Sequence, residues 1–259
     1  MILRRRVALD GVQLDQVDSR ILIQSIETAA GKETISALSM YSGDGSRVTN
    51  AHRDSLDIVV KFTINEKSYN PEARAAVLEN VNRWACLGGW LTVNFKPGRK
   101  IRVIAAQLPG EGDAGARTQY AITFRAYGVP YWQQESPALV RHTGVSSCSG
   151  VLGVPGSAKT VCDVSFKNTS GGTVDTLNIS IGGSSFQLTG LGLGNNGTLV
   201  IEHEDDGKRA YLRIRIGSTS KLGCRAGSDD LYVEPGSRSY SMSAGGSGTF
   251  TISCAGRYA

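Results

Sequence analysis

The sequence predicts a mainly β chain that carries a single helix and forms two consecutive domains. Three observations predict this. Apolar residues recur at period two in run after run, and only one stretch, at about residues 71–87, keeps helical spacing. Gly is used 32 times in 259 residues and, with Asn, Ser and Pro, separates the alternating runs. A chain this long can bury a sizeable core and more naturally makes two domains than one. Charged residues are 20% and hydrophobic residues 40%, a globular rather than a disordered composition.

The first half is read as strands with one helix. Asp10-Gly11 lies between "RVAL" and "VQL" and signals a two-residue hairpin, because both positions accept positive φ. In "LDIVVKFTI", Leu56, Ile58, Val60, Phe62 and Ile64 share one face of a half-buried strand. "KIRVIAA" and "QYAITFRAY" repeat the pattern. The helix over about 71–87 has Asn70 to cap an orphan N–H and Pro71 in the first turn, where its missing donor costs nothing. Ala73, Val77, Val81 and Trp84, with Ala76 and Asn80 beside them, form its core-facing stripe, and Gly88-Gly89 ends it. Two prolines in "YGVPYWQQESP" (127–137) remove ladder donors, so the sheet is expected to stop there and a domain boundary to follow.

The second half shows no helix. "TVCDVSF", "TLNISI", "SSFQLT", "TLVIEH", "AYLRIRI", "DLYV" and "GTFTISC" read as short strands of a sandwich or jelly roll. In "RAYLRIRI", Ala210, Leu212, Ile214 and Ile216 share one face. Arg209, Arg213 and Arg215 share the other, which reads as a solvated sheet face in preference to a basic contact stripe.

Chemistry-bearing patterns fail one by one. "GLGNNG" (192–197) has dinucleotide-loop spacing, but the alternating "TLVIEHE" follows it where a helix N-terminus would have to cradle phosphate. Asn195-Asn196-Gly197 is therefore a turn between strands. His52, His142 and His203 do not pair at metal-ligand spacing, and Glu204, Asp205, Asp206 and Gly207 miss the twelve-residue calcium loop and read as an acidic hairpin tip. "GVSSCSG" (144–150) lacks the strand–turn–helix that presents a nucleophile and is read as a flexible loop. No catalytic, cofactor-binding or metal residue is assigned.

The net charge of +5 is spread over both halves. There are 17 basic and 14 acidic residues before Ser136, and 11 and 9 from there on, so a nucleic-acid face is not expected. Cys86, Cys148, Cys162, Cys224 and Cys254 form no C-x-x-C pair and are read as reduced thiols of a protein assembled in a cytoplasm. No apolar run reaches the ~20 residues of a membrane helix. Asp10 interrupts the apolar core that a signal peptide would need, and the sequons at Asn168, Asn178 and Asn196 are read as turn and strand polar residues.

Taken together in order, these segments resemble the distal tail proteins of long-tailed bacteriophages, the siphophages above all. The resemblance runs from "VALDGVQL" and "DSLDIVVKFTI" through "VNRWACLGGWLTVNF" and "PGRKIRV" to "YAITFRAYGVPYW". In the second half it takes in "FKNTSGGTVDTLNISIGG", "GTLVIEHE" and "VEPGSRSYSMSAGGSGTFTISCAGRYA". Val129 stands where the family usually has an acidic residue before proline.

The resemblance implies an N-terminal domain over 1–132, a split β-barrel or sandwich with one helix, that forms a hexameric ring. It implies a galectin-like β-sandwich (jelly roll) over 133–259, with Tyr127, Pro130, Tyr131 and Trp132 at the junction. The implied protein is a structural virion component at the tail tip, not an enzyme, and uses no cofactor. Its partners would be the other five copies, the tail tube protein, the tail-tip hub protein and receptor-binding proteins. Genome DNA would pass through the lumen without sequence-specific contacts. Two other function classes stay open. One is a carbohydrate-binding module contacting the host surface through the C-terminal sandwich, which has Tyr211, Tyr232 and Tyr240 but none of the three tryptophans, Trp84, Trp90 and Trp132. The other is a cell-wall hydrolase, which the lack of a histidine–carboxylate motif disfavours.

Overall fold

The computed structural model describes residues 5–29, 33–39, 46–53, 55–65, 70–110, 119–205, 210–227 and 230–259. The chain divides into two compact units, Met1–Trp132 and Gln133–Ala259.

The first unit opens with a hairpin of β1 (Val7–Leu9) and β2 (Val12–Gln13). Its turn holds Asp10 at φ 47° and Gly11 at φ 85°, the two positive angles that a tight hairpin turn requires. Leu14 does not extend β2, as "VQL" suggested. It starts a four-residue helix, α1 (Leu14–Val17), because its side chain turns fully into the core. β3 (Ile21–Thr28) follows, then a separate antiparallel pair of β4 (Glu33–Ser39) and β5 (Ser46–Arg53). β6 (Asp57–Ile64) buries Ile58, Val60, Phe62 and Ile64 at strict alternation.

The main helix, α2, spans Pro71–Cys86. The Asn70 carboxamide oxygen accepts the Ala73 N–H at 3.1 Å, the cap that the sequence called for. Its buried face comprises Arg74, Val77, Leu78, Val81, Trp84 and Ala85, while Ala76 is exposed and Ala73 and Asn80 are half-buried. The stripe is therefore turned toward Leu78 from the expected position. Trp84 fixes it, donating Nε1–H to the Val12 carbonyl at 3.1 Å and meeting Phe124 edge-on at 5.9 Å. After the helix come β7 (Gly89–Val93), β8 (Arg99–Gln107) and β9 (Gln119–Ala126). The sheet runs β2-β1-β7-β8-β9-β6-β3.

β10 (Trp132–Gln134) is short and precedes the strands of the second unit. These are β11 (Ala138–Val154), β12 (Thr160–Asn168), β13 (Val174–Ile181), β14 (Ser184–Leu193), β15 (Thr198–Asp205) and β16 (Ala210–Ile216). After β17 (Thr219–Ser220) comes a 3₁₀ turn at Leu222–Cys224, then β18 (Arg225–Ala226), β19 (Tyr232–Val233), β20 (Gly236–Cys254) and β21 (Arg257–Tyr258). The strand order is β17-β16-β15-β12-β20-β13-β14-β18, with β11 along β20 and β19 on β12.

Two strands are far longer than the short runs expected: β11 has 17 residues and β20 has 19. β20 belongs to two layers in turn. Tyr240–Ala244 pair with β13, and Gly248–Cys254 pair with β12. The switch falls on Gly245-Gly246-Ser247-Gly248, where a Cβ on Gly246 would lie 2.9 Å from Val174 and one on Gly248 would collide with the Phe166 ring and the Lys167 carbonyl. The two layers face each other across one core in which Leu177, Ile179 and Leu188 meet Val164, Phe166, Leu199 and Phe250. Phe166 and Phe250 pack at 4.6 Å between ring centroids.

Residues 144–150, read from sequence as a flexible loop, lie within β11. Register shifts between Thr143 and Val145 and between Val145 and Ser147 break the period-two count that would have revealed the strand. Asn195-Asn196-Gly197 is a turn, as read, with Asn196 at φ 61° and the Gly197 N–H on the Gly194 carbonyl at 3.0 Å, while Gly192 and Leu193 end β14. It joins β14 in one layer to β15 in the other, and no helix follows it.

Candidate interaction surfaces

In the first unit the segment after β9 is built from ring faces and cations. The Tyr127 N–H donates to the Arg102 carbonyl at 3.2 Å, which carries the chain one residue past the strand. Arg102 in turn donates Nε–H to the Tyr127 hydroxyl at 2.8 Å, with its guanidinium carbon 5.1 Å from the ring centre. Val129 is buried, and the Tyr131 N–H reaches back over Pro130 to the Val129 carbonyl at 2.8 Å. This turn delivers Trp132 into the interior at 1% exposure, under the Lys96 ammonium at 5.0 Å. Lys100 covers Trp90 at 4.5 Å. Thus Tyr127 and Trp132 both serve as cation platforms, Pro130 shapes the turn between them, and Tyr131 is half-buried beside it.

The outward side of β3, β6 and β9 is charge-paired. Arg125 binds Asp57 through two bonds of 2.8 and 3.0 Å, and its guanidinium holds the Asp57 carboxyl below the usual carboxylate range. Lys61 binds Glu27 at 2.7 Å and lowers that carboxyl in the same way. Apolar surface is left open at the end of α2, where Leu87 is 83% exposed. Ile104, also exposed, lies beside the following residue, Gly88, where a Cβ would sit 3.4 Å from its Cγ2.

In the second unit, the two described histidine side chains act within the fold. His203 sits between the Asp163 carboxylate, 3.1 Å from Nδ1, and the Asp230 carbonyl, 2.6 Å from Nε2. His142 contacts the Tyr240 hydroxyl through Nε2 at 2.6 Å, joining β11 to β20. The β15–β16 surface is the solvated face expected of "RAYLRIRI". Leu212 and Ile214 are buried, while Arg215 bonds Glu202 at 2.9 Å across the strands. Arg209, Asp206 and Gly207 lie outside the described residues, and so do the side chains of Glu204, Asp205 and His52. Among the described residues no group of three His, Cys, Asp or Glu side chains could hold a metal ion. Among the described residues no helix is long and apolar enough to cross a membrane. All five cysteines are free thiols, with Cys162 and Cys254 opposed in the β12–β20 register and fully buried.

The other layer of this unit carries an open groove of about 970 Å³. Its floor is two rows of side chains that follow the strand register. Ser149, Ser241, Ser180 and Ser185 form one row across β11, β20, β13 and β14. Ser147, Ser243, Asn178 and Gln187 form the next, with Asn178 donating Nδ2–H to the Ser243 hydroxyl at 3.2 Å. Among the described residues, none that lines it is Asp, Glu, Lys or Arg. Sequence reasoning passed over this groove, although "SRSYSMS" shows the serine alternation plainly.

No family model and no curated protein matches the sequence. Solved structures do match the fold. The crystal structure of SPP1 Dit (gp 19.1), described as a paradigm of the hub adsorption apparatus in phages infecting Gram-positive bacteria, aligns at a TM-score of 0.69 and 15% identity. The alignment covers 97% of this chain and 98% of that one. A chain of the phage p2 baseplate in its activated conformation with Sr aligns at a TM-score of 0.45 and 9% identity, over 96% of this chain and 97% of that one, too loosely to fix a fold.

Proposed function

We propose that this chain, whose fold is that of SPP1 Dit from end to end, is the distal tail protein of a long-tailed bacteriophage. Six copies form a ring at the tail tip that joins the tail tube to the hub and adsorption complex, with a lumen through which genome DNA passes. The 1–132 unit makes the ring, and the 133–259 sandwich is attached to it. The protein is a virion component assembled in the host cytoplasm and performs no chemistry. The observation that carries this reading is the fold correspondence over both units at once, at 97% and 98% coverage. Supporting it, the described histidines and the cation–ring stacks are committed to internal contacts, and the groups around them do not converge as a nucleophile and its base. A head-to-tail ring needs only two complementary surfaces on each copy, and the open apolar surface at Leu87 and Ile104 is material for one of them.

The test is mass by light scattering at high protein concentration, followed by negative-stain imaging, with the protein alone and mixed with the tail-tube and hub proteins of the same phage. Six-subunit rings with a central hole are expected in at least one of these samples. A monomer in both, binding neither partner, overturns the reading. Zymography on host cell walls is expected to give no clearing, and a cleared band would restore the hydrolase alternative.

A further inference from the structure

We propose that the groove across β11, β20, β13 and β14 is a binding site for a neutral, hydroxyl-rich oligosaccharide. The site itself does not depend on ring formation. Two faces of this one domain contrast in charge. The β15–β16 face carries Glu202, Arg213 and Arg215, as an exposed antiparallel face ordinarily does, whereas among the described residues the groove lining of the other layer has no charged side chain, in a chain that is 20% charged. A face that only needed solubility would be expected to share in that charge.

The chemistry of the lining narrows the ligand. Phosphate, nucleic acid or an acidic polymer would need cations, and the described lining residues offer none. A protein partner would look for exposed aromatic or Arg anchors. Phe186, the groove's aromatic residue, is 5% exposed, and the Arg225 guanidinium already covers it at 5.2 Å. What the groove does offer is a lattice of groups that both donate and accept: six serine hydroxyls, a carboxamide from Asn178 and another from Gln187. Adjacent members of a row stand about 4.8 Å apart, and the rows about 6.8 Å apart along the strands. Such a lattice matches a ligand whose surface is successive hydroxyls carrying no charge. Serine is short, so little rotamer entropy is lost when the lattice is occupied.

Without a stacked ring, one site binds weakly, with a dissociation constant on the order of 1 mM. Six copies in a ring, if the reading above holds, would raise the avidity without any new contact.

The experiment uses the full chain on an array of neutral hexose and N-acetylhexosamine oligosaccharides beside acidic glycans. Positives are titrated by saturation-transfer NMR, and subunit mass is measured on the same sample. Saturable binding to neutral sugars is expected. It should weaken at least about tenfold in Ser241→Lys and in Ser180→Arg, and stay unchanged in Ser237→Lys, an exposed serine of β20 outside the groove. Ser241 and Ser237 are exposed and Ser180 is half-buried on the open side of the sheet, so the variants should keep the native spectrum. Absence of saturable binding, preference for acidic glycans, or equal binding by Ser241→Lys would each overturn the proposal. A change of subunit mass in Ser241→Lys without sugar binding would overturn it in favour of a protein contact. The ring reading stands or falls separately, on the mass and images of the unmodified protein.

Discussion

Asn168 shows how much one polar side chain can hold together. It is fully buried at the end of β12, donating to the Gly172 and Leu193 carbonyls at 2.8 and 2.9 Å and accepting from the Ser170 N–H and hydroxyl at 2.9 and 2.8 Å. Its own backbone bonds Asn196 and Gly197 in the turn that joins the two layers. Asn168→Ala removes all four side-chain bonds, including the one to the buried Leu193 carbonyl, and should cost about 1–3 kcal/mol in chemical denaturation. Asn168→Asp should be no better, because a carboxylate cannot donate to two carbonyls. Asp18 gives the pH-dependent counterpart. Arg20 bonds both of its carboxylate oxygens, at 2.9 and 2.7 Å, and holds the carboxyl below its ordinary range. The folded-state pKa is depressed, so the stabilisation is complete above the unfolded value near 4 and lost as pH falls through the folded one. Asp18→Asn should therefore be less stable than the parent at pH 7, by on the order of 1 kcal/mol, and should converge with it in strong acid.

At the scale of elements, β20 decides the second unit. A 19-residue strand that leaves one layer for the other must bend where neighbouring atoms leave no room for side chains, and Gly245-Gly246-Ser247-Gly248 supplies that point. Gly248→Ala should destabilise by at least about 2 kcal/mol, since both obstructing groups are fixed, one in the core and one in the backbone. Gly153→Ala, on a strand position with open space around it, should be close to neutral by the same thermal measurement. The helix and the alternating strands were legible because their signals are local: a cap, a proline in the first turn, a period. The strand over 144–150 was not, because two bulges shift the alternation and small side chains blur what remains. The orientation of α2 was only partly legible. Periodicity places Val77, Val81 and Trp84 on a stripe, but packing chose the Leu78 side of it.

Across the whole molecule, each unit carries its own core, and the second draws its entire cluster from residues 138–254. Residues 133–259 expressed alone should therefore fold, with a cooperative thermal transition and a β-type spectrum. Leu87, 83% exposed at the end of α2, should contribute nothing to the fold of a single copy. Leu87→Asp is expected to leave thermal stability within about 0.5 kcal/mol of the parent while lowering the fraction of six-subunit rings in light scattering. Unchanged rings would remove that surface from the assembly.

The sequence by itself determined the strand periods, the capped helix and its glycine stop, and the tight turn at Asp10-Gly11. Each of these depends on neighbours a few residues away, where backbone geometry leaves little choice. Only the tertiary structure decided that β20 serves both layers, that Tyr127 and Trp132 lie beneath Arg102 and Lys96, and that serines from four distant strands align into an uncharged groove. Those features arise from strand register, and register is set by the packing of many residues at once, which no single stretch of the chain contains.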